Sequence, residues 1–181
     1  MSEKFRTLAL GALLAAGMIR LGSWLPAVSA ASPAAGAELA TRERDRAEID
    51  ALMWRYVRAL DSLNADAYAD VYTADGSFGS GARAARGREA LKKIITDVKQ
   101  RNAEREAKGG NSPKMYHVIT NPYLEFVDPD HARLHAYWMT VFAAADANSQ
   151  PRVAAVGRSV DQLVRLSGHW LIQARDVAPT D

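Results

Sequence analysis

The sequence predicts one α+β domain in which an antiparallel sheet curls around a long N-terminal helix, with two further helices alongside. Three segments with helical apolar spacing come first in the chain, and four segments rich in β-branched and aromatic residues follow. The 181 residues, of which 48% are hydrophobic and 24% charged, are enough for one domain with a substantial core. Helices followed by a run of strands favour an α+β layer.

The first thirty residues have the pattern of a secretory signal. A charged head ending at Arg6 precedes an apolar run at residues 7–19, and small residues at 28–30 suit a signal peptidase. We predict a signal peptide over residues 1–30 and an exported mature protein, periplasmic or secreted, with no membrane attachment after cleavage. A retained anchor is the alternative, although Arg20 interrupts the apolar run and a span needs about 20 apolar residues.

A change in composition marks the start of the folded domain. Residues 31–42 are rich in Ala, Pro and Gly and are predicted to be a flexible tether without a core of its own. The folded domain is expected over residues 43–178. No internal repeat divides it.

The charge and the absence of cysteine exclude several classes of function. The formal net charge of +2 comes from Lys4, Arg6 and Arg20 set against Glu3, so the mature chain is formally neutral. A general nucleic-acid binder needs a basic face that displaces counterions, and we therefore expect no nucleic-acid partner. Without cysteine there is no disulfide, no thiolate metal site and no cysteine nucleophile.

Apolar spacing predicts the helices. Residues at three- and four-residue spacing indicate a long helix over about 41–62; they are Ile49, Leu52, Met53, Tyr56, Val57 and Leu60. Asn64 is the predicted N-cap of a second, short helix, which the turn formers Asp75 and Gly76 are expected to end. A short strand is expected at residues 77–80.

A third helix and a meander of strands complete the domain. One apolar stripe on a charged background predicts the helix over residues 87–108. Four strands are predicted at residues 115–127, 132–143, 152–166 and 169–177. Residues 128–130 and 167–168 are short turn segments, so neighbouring strands are expected to pair as antiparallel hairpins.

An ordered set of residues runs through the whole domain. In chain order these are Tyr56 and Asp61 on the first helix, residues 66–78, residues 87–91 at the start of the third helix, His117 followed by Asn121, residues 157–161 and residues 168–175. Together, over residues 46–177, they resemble the SnoaL-like branch of the nuclear transport factor 2-like superfamily. The resemblance implies a cone-shaped fold with an apolar cavity open at one end.

The resemblance also implies a set of catalytic candidates. Members of the superfamily include polyketide cyclases, scytalone dehydratase, bile acid dehydratases and steroid isomerases, as well as domains that only bind ligands. Asp61 and His117 match the acid/base pair of the dehydratases, and Tyr56 matches the tyrosine that polarises the substrate oxygen. On a regular helix Tyr56 and Asp61 point about 140° apart, so both reach one cavity only if the helix end distorts.

Three further residues are predicted to contact the substrate. Asn121 shares a strand face with His117 if the alternation of the strand is regular. Arg175 is a candidate partner for an anion or enolate near the cavity mouth, and the alternative is a cross-strand ion pair of Asp161 with Arg158 or Arg175. Trp138 is the aromatic candidate, with burial in the core as the alternative, as for Trp54 and Trp170.

Two positions depart from the related dehydratases. The second catalytic histidine of scytalone dehydratase would fall near Val141 or Phe142, and an acidic residue of the bile acid dehydratases would fall near Thr140. We therefore keep two hypotheses open. One is a lyase (dehydratase) or isomerase that uses no cofactor and no metal and acts on a small cyclic carbonyl or hydroxy compound. The other is a domain that binds a small hydrophobic molecule without converting it.

The outer face of the sheet is a candidate interface. Arg133, His135, Tyr137 and Met139 alternate along one strand and combine polar and aromatic character. Sheets of the resembling fold often pair through this face. A homodimer is therefore expected.

Overall fold

The computed structural model of the protein describes residues 32–144, 146 and 148–180. The predicted signal peptide, residues 1–30, lies outside them. The helices are α1 (Pro33–Asp61), α2 (Ala65–Asp70) and α3 (Arg88–Ala107). The strands are β1 (Tyr72–Phe78), β2 (Ala85–Arg86), β3 (Met115–Phe126), β4 (His131–Phe142), β5 (Arg152–Leu166) and β6 (His169–Asp176). None of the helices in the described part is both long and apolar enough to cross a membrane.

The predicted fold class is confirmed. The six strands form one curved, unclosed sheet in the order β2-β1-β6-β5-β4-β3, and α1 packs against it. Strands β3 to β6 form the expected antiparallel meander. The apolar stripe of α1 meets the sheet in a core where Ile49, Leu52, Leu163 and Ile172 are almost completely buried.

The first helix begins at Pro33, earlier than the predicted position near residue 41. Ser32 caps it, because its hydroxyl accepts a hydrogen bond from the Ala35 N–H at 3.2 Å, and proline suits the first helical position. Residues 33–40, which were predicted to be part of a tether, are therefore helical. They are exposed throughout.

The turn predicted at Asp75 and Gly76 is wrong. Both residues lie inside β1, where the pairing with β6 shifts register between Tyr72 and Ser77. Gly76 sits so close to the neighbouring strand that a Cβ there would be 3.1 Å from the Ile172 carbonyl oxygen. The turn formers thus make a bulge, which requires the same backbone freedom as a turn.

The second helix is capped as predicted, since the Ala67 N–H donates to Asn64 Oδ1 at 3.0 Å. The third helix and the four long strands lie within one or two residues of their predicted bounds. The structure adds a parallel pairing of β1 with β6, which places the first strand beside the last.

The buried part of α1 begins at Asp45, where an ion pair fixes the helix to the sheet, and we call this point the Asp45 end. Asp45 is buried and pairs with Arg165 of β5. The Trp170 indole N–H lies 3.5 Å from Asp45 Oδ1, and the Arg165 guanidinium stacks over the Trp170 ring at 4.9 Å. The Trp170 ring thus packs against the charged pair at the Asp45 end.

Candidate functional site

A cavity of about 200 Å³ lies between α1 and the inner face of the sheet, and we call it the inner cavity. It is lined by Tyr56, Phe78, His117, Ile119, Trp138, Thr140, Ala155, Arg175 and Val177. Four of the six predicted site residues are in this set, namely Tyr56, His117, Trp138 and Arg175. Most of the other lining groups are apolar, as is common in small-molecule sites.

His117 is held by the last residue of α1, at what we call the Asp61 end of that helix. Asp61 Oδ1 lies 2.8 Å from His117 Nδ1 and accepts a second hydrogen bond, at 3.0 Å, from the His117 backbone N–H. Both side chains are mostly buried, with 17% of His117 and 12% of Asp61 exposed. In the neutral imidazole the carboxylate selects the proton on Nδ1, so Nε2 is the nitrogen free to accept a proton.

Asp61 contacts the His117 imidazole but does not line the inner cavity. The residues that line the inner cavity do not include Asp61, which lines a separate groove. Tyr56 lines the cavity directly. The Tyr56 and Asp61 side chains can therefore diverge without any distortion of the helix end. Asp61 acts on the cavity only through the imidazole. Asp61 is a positioning residue, while His117 and Tyr56 can touch a ligand.

Tyr56 belongs to a buried group of three tyrosines. Its ring centroid lies 5.6 Å from that of Tyr68 and 6.4 Å from that of Tyr72, and the Tyr68 and Tyr72 hydroxyls are 3.2 Å apart. The Arg175 guanidinium lies 4.5 Å from the Tyr56 ring centroid. Burial raises the pKa of the Tyr56 phenol above its usual value, so the group is neutral and can donate a hydrogen bond.

Arg175 lies in the cavity wall and is paired. Its guanidinium forms an ion pair with Asp161, the residue opposite it on β5, and both side chains are almost completely buried. The predicted cross-strand pair is therefore present together with the predicted place at the cavity. Burial raises the pKa of the Asp161 carboxyl to about 6, an effect that the neighbouring Arg175 opposes.

Trp138 forms one wall because the facing strand has a glycine. Gly157 is its register partner on β5, and a Cβ on Gly157 would lie 2.7 Å from Trp138 Cζ2. The indole N–H points to two carbonyl oxygens, those of Arg158 at 3.0 Å and Val177 at 3.1 Å. The ring is thus fixed close to the backbone of the neighbouring strand.

The other two tryptophans differ from each other. Trp170 is buried in the core, in agreement with the sequence-based expectation. Trp54 is 64% exposed on α1, so the expectation of a core position is wrong there. Trp54 is not part of the buried apolar stripe of α1. It falls between the buried positions Met53 and Tyr56 and points away from the sheet.

Asn121 is not part of the cavity. The pairing of β3 with β4 shifts register between Thr120 and Tyr123, and Asn121 has a left-handed backbone with φ of 51°. It is exposed, and its Oδ1 accepts a hydrogen bond from the Thr120 hydroxyl at 2.9 Å. The prediction that it shares a face with His117 is wrong because the bulge interrupts the alternation.

Sequence reasoning missed the residues that make the cavity apolar. Ile119 follows His117 by two positions on the same face, so strand alternation could have identified it. Thr140 is the register partner of His117 on β4 and could be found only once the hairpin register was known. In the described part of the chain, no three His, Asp or Glu side chains are grouped so as to hold a metal ion.

Comparison with known proteins identifies the family. The model of the SnoaL-like domain family matches residues 41–176. The chain belongs to the SnoaL-like family. No match was found among curated proteins.

Solved structures similar to this SnoaL-like chain share its fold. An NTF2-like protein with a cystatin-like fold from Novosphingobium aromaticivorans is 24% identical, with a TM-score of 0.62, covering 80% of this chain and 90% of that one. A putative scytalone dehydratase from the same organism is 19% identical, with a TM-score of 0.60 and coverages of 79% and 89%. ActVI-ORFA from Streptomyces coelicolor is 21% identical, with a TM-score of 0.61 and coverages of 74% and 95%.

Proposed function

We propose that this SnoaL-like domain is a cofactor-independent lyase or isomerase that acts on a small cyclic carbonyl or hydroxy compound. The observation that carries the proposal is the placement of His117 in the inner cavity, with its Nδ1 held by Asp61 at 2.8 Å. A histidine oriented in this way presents Nε2 as a general base. Tyr56 lies in the same cavity as a neutral hydrogen-bond donor.

The arrangement supports proton transfer next to a carbonyl. His117 Nε2 takes a proton from the carbon beside the carbonyl group, and the Tyr56 phenol donates a hydrogen bond to the oxygen as it gains negative charge. Asp61 stabilises the imidazolium that forms, as a buried carboxylate does for a catalytic histidine. The imidazolium then protonates a departing hydroxyl group, releasing water, or protonates another carbon of the same molecule, giving an isomer.

The cavity wall favours this chemistry by limiting water. Phe78, Ile119, Ala155 and Val177 present apolar surface around the imidazole and the phenol. In such surroundings, hydrogen bonds to a developing charge are stronger than they are in water. The positive charge of Arg175, which lies over the Tyr56 ring, adds a favourable potential for an enolate even though Asp161 balances it.

The test is a retention and conversion experiment. The mature domain is loaded from a complex hydrophobic metabolite extract, and mass spectrometry compares what wild type and His117→Ala retain or convert. We expect a cyclic compound that both proteins retain and that only wild type converts. Equal conversion by a folded His117→Ala protein would exclude the mechanism.

A binding domain without catalysis is the second candidate. It is favoured by Thr140, which lies in the cavity where related dehydratases have an acidic residue, and by the pairing of Arg175 with Asp161. This function predicts saturable binding that survives both Asp61→Asn and His117→Ala. The same extract would then yield a compound that both proteins retain unchanged.

We further propose a homodimer through the outer face of the sheet. The buried residues Ala132, Leu134 and Ala136 alternate with outward positions on β4, and outward Met139 pairs in register with Val118 and Val156. Val156 is 65% exposed. Light scattering should give twice the mass of the chain, and Val156→Asp should halve it, whereas Val127→Asp at an exposed hairpin end should not.

A further inference from the structure

A second concave surface adjoins the inner cavity, and we call it the α3 groove. Its volume is about 610 Å³, roughly three times that of the cavity. It is formed by the end of α1 and the two residues after it (61–63), the start of β3 and the residues before it (112–115), Phe142, and one side of α3, namely Val98, Lys99, Arg101, Asn102, Ala103, Arg105 and Glu106. Apart from Asp61, none of the residues that line it takes part in the proposed catalysis.

The groove continues the cavity along one face of the β3–β4 hairpin. Residues two apart on a strand share a face, and here the inward residues of the two strands pair in successive rows. The rows are Ile119 with Trp138, His117 with Thr140, and Met115 with Phe142. The first two rows line the inner cavity and the third lines the groove. A step of one row is about 7 Å, so a short tail on a ligand beside His117 reaches the groove.

The groove has an excess of positive charge. Its cationic residues are Lys99, Arg101, Arg105 and Lys114, and its acidic residues are Asp61 and Glu106. Asp61 is engaged by His117. The groove therefore offers more cations than anions to a ligand, although the mature chain as a whole is formally neutral.

These cations differ from those at the other end of the same helix. Near the start of α3, Arg88 pairs with Asp70 at 2.6 Å and Lys92 pairs with Asp66 at 2.6 Å. In contrast, the side chains of Lys99, Arg101 and Arg105 make no ion pair or hydrogen bond to any residue that the structure describes, and neither does Lys114. The groove cations on α3 are thus not neutralised by described acidic side chains, whereas those near the start of the helix are.

The size of the cavity limits what can occupy it. An engineered apolar cavity of about 150 Å³ in another protein holds one benzene molecule. The inner cavity, at about 200 Å³, therefore holds one six-membered ring with small substituents. Any longer part of a ligand must leave the cavity, and the α3 groove begins one row further along the hairpin, at Met115 and Phe142.

We infer that the α3 groove binds an anionic group on a short tail of the molecule whose ring occupies the inner cavity. The substrate class is then a single-ring compound with a carboxylate or phosphate a few bonds from the ring. This inference rests on the proposed function for the identity of the reacting end. The binding preference itself is independent of catalysis.

The test uses three probes with the same ring and chain. These are 4-phenylbutanoate, 4-phenylbutyl phosphate and the neutral 4-phenylbutan-1-ol, and titration calorimetry measures their dissociation constants. We expect at least one anion to bind about fivefold to tenfold more tightly than the alcohol, because exposed charge pairs contribute modestly. The tighter of the two anions distinguishes a carboxylate from a phosphate. The preference should shrink as salt is raised.

A matched pair of double variants locates the effect. Arg101→Gln/Arg105→Gln should abolish the preference for the anions, while Arg44→Gln/Arg55→Gln, on the exposed surface of α1, removes the same charge and should preserve it. Equal affinity for the alcohol and both anions, an unchanged preference in Arg101→Gln/Arg105→Gln, or no binding of either anion at millimolar concentration would overturn the inference.

The outcome separates this inference from the proposed function. His117→Ala should keep the preference for anions, since the groove cations are intact, while it loses conversion. If wild type shows no preference for the anions but still converts its substrate, only the inference about the groove is rejected. Intact conversion by His117→Ala together with a measured preference would reject only the catalytic role.

Discussion

The two ends of the buried part of α1 are attached to the sheet in chemically similar ways. At the Asp45 end a helix carboxylate binds Arg165, a residue 120 positions later in the chain. At the Asp61 end a helix carboxylate binds His117, a residue 56 positions later. Each contact connects the first helix to a strand that is distant in sequence. Together they fix the helix across the sheet.

The two ends differ in what lies beyond the sheet residue. Arg165 is stacked against the Trp170 ring, and neither residue lines the inner cavity or the α3 groove. His117 has the inner cavity beyond it. The same kind of contact therefore holds the fold together at one end and orients an imidazole that lines a cavity at the other. The space left by the neighbouring side chains decides which role results.

The largest effect is expected from His117→Ala. If His117 is the general base, kcat/KM on the compound found by mass spectrometry should fall by about 10²–10⁴-fold. The free energy of unfolding should change little in comparison. His131→Ala is the matched control, because His131 also contacts an aspartate, Asp128, at 2.9 Å but lies at an exposed hairpin. Similar losses in both variants would contradict a special role for the Asp61 end.

The Asp45 end should respond in stability. Asp45→Asn removes the buried partner of Arg165 and leaves only Asp130, at 3.8 Å, so the free energy of unfolding should fall by about 3 kcal/mol. Chemical denaturation measures this, with Asp50→Asn on the exposed side of the same helix as the control. Activity of the folded fraction should be retained. A variant as stable as wild type would show that aromatic packing alone fixes this end.

A third buried carboxylate, Asp161, predicts a dependence of stability on pH. Its pKa of about 6 in the folded protein exceeds the usual value of about 3.9 in an unfolded chain, so the folded state binds more protons between these values. Its contribution to stability is therefore present below about pH 4 and is lost as the pH rises through about 6.

Comparison with Asp161→Asn isolates that contribution, because asparagine does not titrate. Between pH 4 and pH 7 the unfolding free energy of wild type should fall relative to the variant by about 2–3 kcal/mol, since a tenfold difference in proton affinity between the folded and unfolded states corresponds to about 1.4 kcal/mol. Denaturant melts at the two pH values give the difference. A constant difference would mean that Arg175 keeps Asp161 ionised throughout.

The smallest effect is expected from Asp61→Asn. The amide oxygen can still accept the hydrogen bonds from His117, but it stabilises the imidazolium less, so kcat should fall by about tenfold to a hundredfold. KM should change less than kcat, since Asp61 does not line the inner cavity and its carboxylate is engaged by His117. A change in KM alone would indicate that the residue acts on ligand binding instead.

The sequence predicted those parts of the fold that local signals determine. The Asn64 cap, the third helix and the two hairpins follow from neighbouring residues, and they are present. The parallel pairing of β1 with β6 joins segments about a hundred residues apart, and no local pattern indicates it. Asp75 and Gly76 were mispredicted for a different reason. Turn-forming residues also occur in bulges, so their presence does not distinguish a bulge from a turn.

The candidate site was predictable only in part, for similar reasons. The resemblance indicated Tyr56, His117 and Arg175, and the structure places all three at one cavity. Asn121 was assigned by regular alternation, which fails at a bulge that the sequence does not reveal. The position of Asp61 behind the imidazole depends on where the helix ends relative to β3. That relation is a property of the packed structure.

The contact between Trp138 and Gly157 has a consequence for how the protein could change over time. Gly157 does not line the inner cavity, yet a single added methyl group there would collide with the indole and move it. The shape of the inner cavity could therefore be altered by one codon change at a position that does not line it. Inherited variation at this glycine could change which ring the cavity holds without any change to the residues that line it.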